Sequence, residues 1–194
     1  MKKIITIIVF YLFLFPSTYI AAQNKPYKID GDKSEKKADK NNFVVYQQGY
    51  KDAVYNKNNT LMIYESNFET KSEETTLDNI IRFSERTKVD SIFYRIISPY
   101  YRNYKSKFEY ELEEFEIYLF AKPDGKVCEL AFKYDRDAKI PLSAIEKFES
   151  EILDLNLNLE LIGHEYYFTD VLWVYYPVRY SVSRMKKYLK EKNM

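Results

Sequence analysis

A single cysteine, Cys128, excludes an internal disulfide, so any fold must be held by its core alone. Histidine is as scarce. His164 stands alone beside Glu165, whereas a metal site needs three or four converging ligands, so it reads as a solvated loop residue. Neither sign of charge prevails: without Met1–Ala22, 28 basic residues face 29 acidic ones, which argues against a general nucleic-acid binder. Glycine (4) and proline (6) are rare, and no proline-rich spacer or internal repeat is present. The longest largely apolar run, Ile4 to Phe15, has 12 residues and falls short of the roughly 20 that a spanning helix requires.

That run is preceded by Lys2 and Lys3 and followed by Pro16, Ser17, Thr18, Ala21 and Ala22, the three-part pattern of an export signal. Residues 1–22 are therefore expected to be a signal peptide, leaving an exported protein, periplasmic or extracellular, with no stable membrane span after cleavage. No cysteine follows that could carry a lipid anchor. Asn24 to Asn42 holds ten charges of both signs and almost no large apolar side chain, so 23–42 is expected to be a flexible polar tether. A single domain should then occupy 43–194.

Within it, Phe43–Gln48 and Thr60–Tyr64 have strand composition and flank a polar loop at Asn56–Asn59. Thr75 or Thr76 can cap a helix carrying Leu77, Ile80 and Ile81. Val89, Ile92, Phe93, Ile96 and Ile97 repeat at helical spacing up to Pro99. Phe115, Ile117 and Leu119 alternate with polar neighbours before Pro123-Asp124-Gly125, and Val127–Tyr134 returns as the second strand of a hairpin. Cys128, Leu130, Phe132 and Tyr134 are expected on its core face. Pro141 opens a helix striped by Leu142, Ile145, Phe148 and Ile152. Leu155, Leu157, Leu159 and Leu161 suggest an extended segment. A strand is expected within Tyr166–Tyr176, closing before Pro177, and Ser181–Asn193 forms a short amphipathic helix. The fold class is α+β: a small mixed sheet, a hairpin-helix-strand module over about 114–180, and helices packed on one face.

Gly125-Lys126-Val127 after the turn, the helix that follows, and Val178 and Tyr180 behind Pro177 make this module resemble the carboxy-terminal module of TonB-like proteins. The whole chain, with its AAQ signal end and Lys/Asn/Tyr-rich stretch, resembles small exported proteins of unknown function from Bacteroides-like bacteria. That resemblance implies an address and a fold, and no activity.

No motif in the chain is catalytic, and no cofactor is implied. Cys128 lies mid-strand among apolar partners, the setting of an inert thiol. Glu109, Glu111, Glu113, Glu114 and Glu116 could present paired carboxylates to a glycoside, but the period of two equally suits the wet face of a strand. The 20 tyrosines and 13 phenylalanines follow in part from AT-rich codons, which also specify Ile, Lys and Asn. They still supply the best lead. Tyr100, Tyr101 and Tyr104 in one stretch, and Trp173 and Tyr175 in another, are candidate binding residues, since flat amphipathic rings give contact area at low entropy cost. Arg179–Lys192, rich in Lys and Arg, could touch anionic lipid or another acidic surface. The reading is a non-enzymatic exported protein that binds an envelope protein or peptide by its sheet edge or tyrosine face. A carbohydrate-binding protein or weak glycoside hydrolase, and an envelope structural or inhibitor-like protein, are the alternatives.

Overall fold

The computed structural model describes residues 31–61, 80–105, 114–163 and 173–192. Among the described residues, eight strands and three α-helices follow one another: β1 (Asp32–Lys37), β2 (Asn42–Gln48), β3 (Lys51–Asn56), β4 (Ile81–Arg82), α1 (Arg86–Ile96), β5 (Glu114–Ala121), β6 (Val127–Asp135), α2 (Leu142–Asp154), β7 (Glu160–Leu161), β8 (Val174–Ser181) and α3 (Val182–Glu191). Six strands form one sheet in the order β1-β2-β3-β6-β5-β8, every described pairing antiparallel, while β4 and β7 pair separately. This is the α+β class expected.

Two hairpins are fixed by their turn residues. Gly49, at φ +58°, opens the two-residue connection between Gln48 and Lys51, where a side chain would be strained. Between β5 and β6 the Gly125 N–H donates to the Lys122 carbonyl at 2.8 Å, and Asp124 Oδ1 accepts from the Lys126 N–H at 2.9 Å. Gly125 takes φ +83°, and a Cβ there would stand 2.2 Å from the Leu159 carbonyl oxygen. Glycine is required on both counts, because the 157–159 segment bonds directly to this turn through Leu159 N–H to Gly125 O at 2.8 Å.

The helices cover one face of the sheet. Val89, Ile92, Phe93 and Ile96 of α1, Ile145, Phe148 and Ile152 of α2, and Val182, Met185 and Leu189 of α3 bury against Phe43, Val54, Phe115, Ile117, Leu119, Leu130 and Phe132. Phe93 is the centre of this layer. Its ring stacks on Tyr180 at 3.6 Å and meets Phe115 and Phe148 at 5.3 and 6.1 Å.

Four expectations are corrected. Asp32–Lys37, inside the stretch read as a tether, is an edge strand: β2 supplies its ladder, and Glu146 of α2 accepts the backbone N–H groups of Asp39, Lys40 and Asn41 at 2.5–3.1 Å. Backbone pairing, which composition does not register, orders that charged segment. An additional strand, Lys51–Asn56, follows Phe43–Gln48, with Val54 and Tyr55 supplying its two faces; Thr60 and Leu61 are outside any strand, and the rest of the expected Thr60–Tyr64 strand lies outside the described residues. The last strand runs through Pro177 to Ser181, because β8 lies at the edge, where a residue without an N–H is tolerated. Cys128 is the extra residue of a β-bulge opposite Phe120/Ala121, so Val127 takes the core position and the thiol is only half-buried. The expected signal peptide, residues 23–30 of the tether and most of the Thr75–Ile81 helix lie outside the described residues, and Ile81 itself belongs to β4.

Candidate functional site

Alternation along each strand sends every second side chain to the face opposite the helices. Among the described residues no helix packs there. The register places Tyr46 of β2 and Tyr55 of β3 on it, with rings stacked at 6.2 Å, and Tyr118 and Phe120 of β5 farther along the sheet. Trp173, just before β8, and Tyr175 on it complete a second group. Phe120 meets Trp173 edge-on at 5.2 Å, and Tyr175 lies 5.9 Å from Tyr118 and about as far from Phe120 and Trp173, at 6.2 Å each. Trp173 is 5% exposed and Tyr175 37%. The cluster thus buries its base and presents one ring to solvent.

Charged groups line the same face. Glu116 accepts the Tyr118 hydroxyl at 2.7 Å and Lys51 Nζ at 3.3 Å, with Arg179 Nε at 3.7 Å. Burial, and secondly the bond to Glu116, push the Tyr118 phenol well above its ordinary pKa, so it stays a neutral donor. Burial and the bond to Tyr46 do the same for Tyr55. Glu129 is occupied by backbone: its oxygens accept the N–H groups of Thr60 (2.6 Å) and Leu61 (2.9 and 3.0 Å) and the Thr60 hydroxyl (3.0 Å). Both buried carboxylates of this face therefore hold structure. Neither is placed as a general acid or nucleophile.

The two sheet edges are blunted. β1 presents Lys33, Lys36 and Lys37 on the outermost strand. On β8 the Arg86 guanidinium bonds the Arg179 carbonyl at 2.9 Å, which directs the backbone groups of the odd-numbered residues outward. Pro177 is one of them, so its missing N–H subtracts a donor from the outer edge and leaves the ladder with β5 whole.

The five candidate binding residues of the sequence do not form one platform. Tyr101 and Tyr104 are buried on the helix side, 1% and 5% exposed, and the Tyr104 hydroxyl donates to Asp135 Oδ2 at 2.9 Å. Tyr100 is exposed nearby on a 3-10 turn, Ser98–Tyr101. Trp173 and Tyr175 sit across the sheet. Tyr46, Tyr55, Tyr118 and Phe120 are not among those five, although the alternation in β5 that marks Phe115, Ile117 and Leu119 as core assigns the intervening Tyr118 and Phe120 to the other face. Cys128 donates weakly to the Phe120 carbonyl at 3.7 Å, and burial, the leading cause, raises its pKa, the opposite of an activated nucleophile.

His164, Glu109, Glu111 and Glu113 lie outside the described residues. Among the described residues no three His, Cys, Asp or Glu side chains gather as metal ligands, and no helix is long and apolar enough to cross a membrane.

No protein-family model matches the chain, and no curated protein sequence matches it. Among solved structures it is similar to a DUF5043 family protein from Bacteroides uniformis ATCC 8492, with a TM-score of 0.54 and 15% identity over 82% of this chain and 90% of that one. At that identity the likeness is one of fold. It accords with the resemblance to Bacteroides-like proteins of unknown function, while the TonB likeness rests on its short motifs alone.

Proposed function

We propose that this chain is an exported, non-enzymatic binding protein whose sheet face opposite the described helices takes a protein or peptide partner, with Tyr175 as the anchor. The observation that carries this is the Phe120–Trp173–Tyr175–Tyr118 cluster, in which three packed rings hold a fourth, exposed one in place. A ring fixed before binding loses little freedom on contact, which is why Tyr and Trp dominate binding hot spots. The partner is expected to bring apolar or aromatic side chains to these rings. Lys133, half-buried on the same face and without a carboxylate within 4.0 Å among the described residues, favours an acidic residue beside them.

The face is favoured over the edge as the route, because Pro177 with Arg86 on one outer strand and the lysines of β1 on the other leave poor templates for strand addition. Export is part of the proposal and rests on the character of Met1–Ala22.

The test is capture from envelope extracts of the native bacterium with the immobilised protein and its Tyr175→Ser and Tyr118→Phe variants. A partner held by the wild type and by Tyr118→Phe, and lost from Tyr175→Ser, is the expected result. Equal capture by all three, or specific binding of a glycan in place of any polypeptide, would overturn the reading.

A further inference from the structure

The helical side of the molecule carries a surface that the aromatic face does not use. Helix α3 packs Val182, Met185 and Leu189 inward and runs alongside the turn Ser98–Tyr101. Its remaining arc holds Arg184, Lys186, Lys187 and Lys190, and Lys186 Nζ lies 6.0 Å from the centre of the Tyr104 ring, which brings Arg102 and Lys105 to the same side. Arg102, Lys105, Arg184, Lys187 and Lys190 are exposed. Of these six cations only Lys187 has a carboxylate within reach among the described residues, Glu191 at 4.0 Å, one helical turn on. Elsewhere many basic residues are matched: Arg86 with Asp90, Arg95 with Glu151, Arg136 with Asp52, Lys57 with Glu35. A chain close to neutral overall thus gathers unmatched positive charge on one surface.

We propose that this surface rests on an anionic lipid bilayer. Its shape favours that partner. The cations are spread over the convex side of a ten-residue helix and its neighbouring turn, so they do not converge on one anion; they suit many anions dispersed over a plane. Four of the six are lysines, flexible point charges that tolerate varied headgroup positions, where recognition of a fixed phosphate favours the arginine fork. Exposed Tyr100 stands at the rim, the side chain that proteins place at headgroup level. Because the apolar stripe of α3 is already committed to the core, attachment is peripheral and electrostatic, without insertion. The helices lie on the face of the sheet opposite Tyr175, so a protein seated this way holds its aromatic face away from the lipid.

The experiment is co-sedimentation of the chain from Gln23 onward with vesicles of phosphatidylcholine, with and without one-third phosphatidylglycerol, at low and high salt. Binding to the acidic vesicles alone, abolished by salt, is expected. The combined variant Arg184→Gln, Lys187→Gln, Lys190→Gln should bind at least about tenfold more weakly while melting as the wild type does. Tyr175→Ser should sediment as the wild type, which separates this surface from the partner-binding face. No binding to acidic vesicles at low salt, equal binding of the combined variant, or binding to RNA or heparin in place of vesicles would each overturn the proposal.

Discussion

Among the carboxylic acids of the described residues, Glu149 is the one whose chemistry departs furthest from its exposed counterpart. It faces inward from α2, 3% exposed, with Asn56 Nδ2 donating to its Oε2 at 3.0 Å and Glu146 one turn away on the same helix. Burial pushes its carboxyl up to about 7; the hydrogen bond from Asn56, the next largest cause, opposes the rise, and the charges of Glu146 and Glu129 add to it. The folded state therefore holds a proton that the unfolded chain releases near 4.5. Stability from this group is whole at acid pH and declines as pH rises from the unfolded value through about 7. Glu149→Gln keeps an acceptor for Asn56 and cannot ionise. Thermal melts between about pH 5 and about pH 8 should show the variant gaining on the wild type by on the order of 2 kcal/mol as pH rises. A constant difference would refute this. Gly125 gives a second prediction at the same scale: Gly125→Ala combines positive φ with a collision against the Leu159 carbonyl and should cost at least about 2 kcal/mol in denaturant unfolding.

At the scale of elements, the β1–β2 connection is tied to α2 by one carboxylate. Glu146 gathers the three N–H groups that turn the chain from β1 to β2, a site built from outside the loop by a helix more than a hundred residues later. Glu146→Ala should cost about 1–3 kcal/mol. It should also speed hydrogen exchange at Asp39, Lys40 and Asn41 more than in β5 or β6. Uniform exchange across the sheet would show that the loop is held by something else. Phe93 does for α1 what Glu146 does for the β1–β2 connection. With its ring on Tyr180, Phe115 and Phe148, Phe93→Ala should destabilise by about 3–5 kcal/mol, read from chemical denaturation.

For the whole molecule, the two proposed surfaces lie on opposite sides of the sheet and should be separable. Tyr175→Ser, at a 37% exposed position with three ring neighbours, should cost on the order of 1 kcal/mol and leave the chain folded while abolishing partner capture. The α3 variant should leave capture intact. Loss of both functions from either change, with the fold preserved, would show one surface where two are proposed.

Elements with a strong local signal are legible in the order of residues alone. The apolar spacing of Val89, Ile92, Phe93 and Ile96 and of Ile145, Phe148 and Ile152 encodes α1 and α2. Pro123-Asp124-Gly125 encodes the β5–β6 hairpin, and Val182, Met185 and Leu189 the inner side of α3. In each, period or turn chemistry is a property of consecutive residues. What depends on distant partners is not legible there. Asp32–Lys37 is a strand because β2 receives its backbone, with Glu146 holding the turn that follows, and the bulge that turns Cys128 away from the core is a matter of pairing with Phe120 and Ala121. The candidate site follows the same division. Trp173 and Tyr175 stand out in the sequence as aromatic, but so do tyrosines that burial assigns to the opposite layer. Which rings share a face is settled by strand register, and register is a relation between segments far apart in the chain.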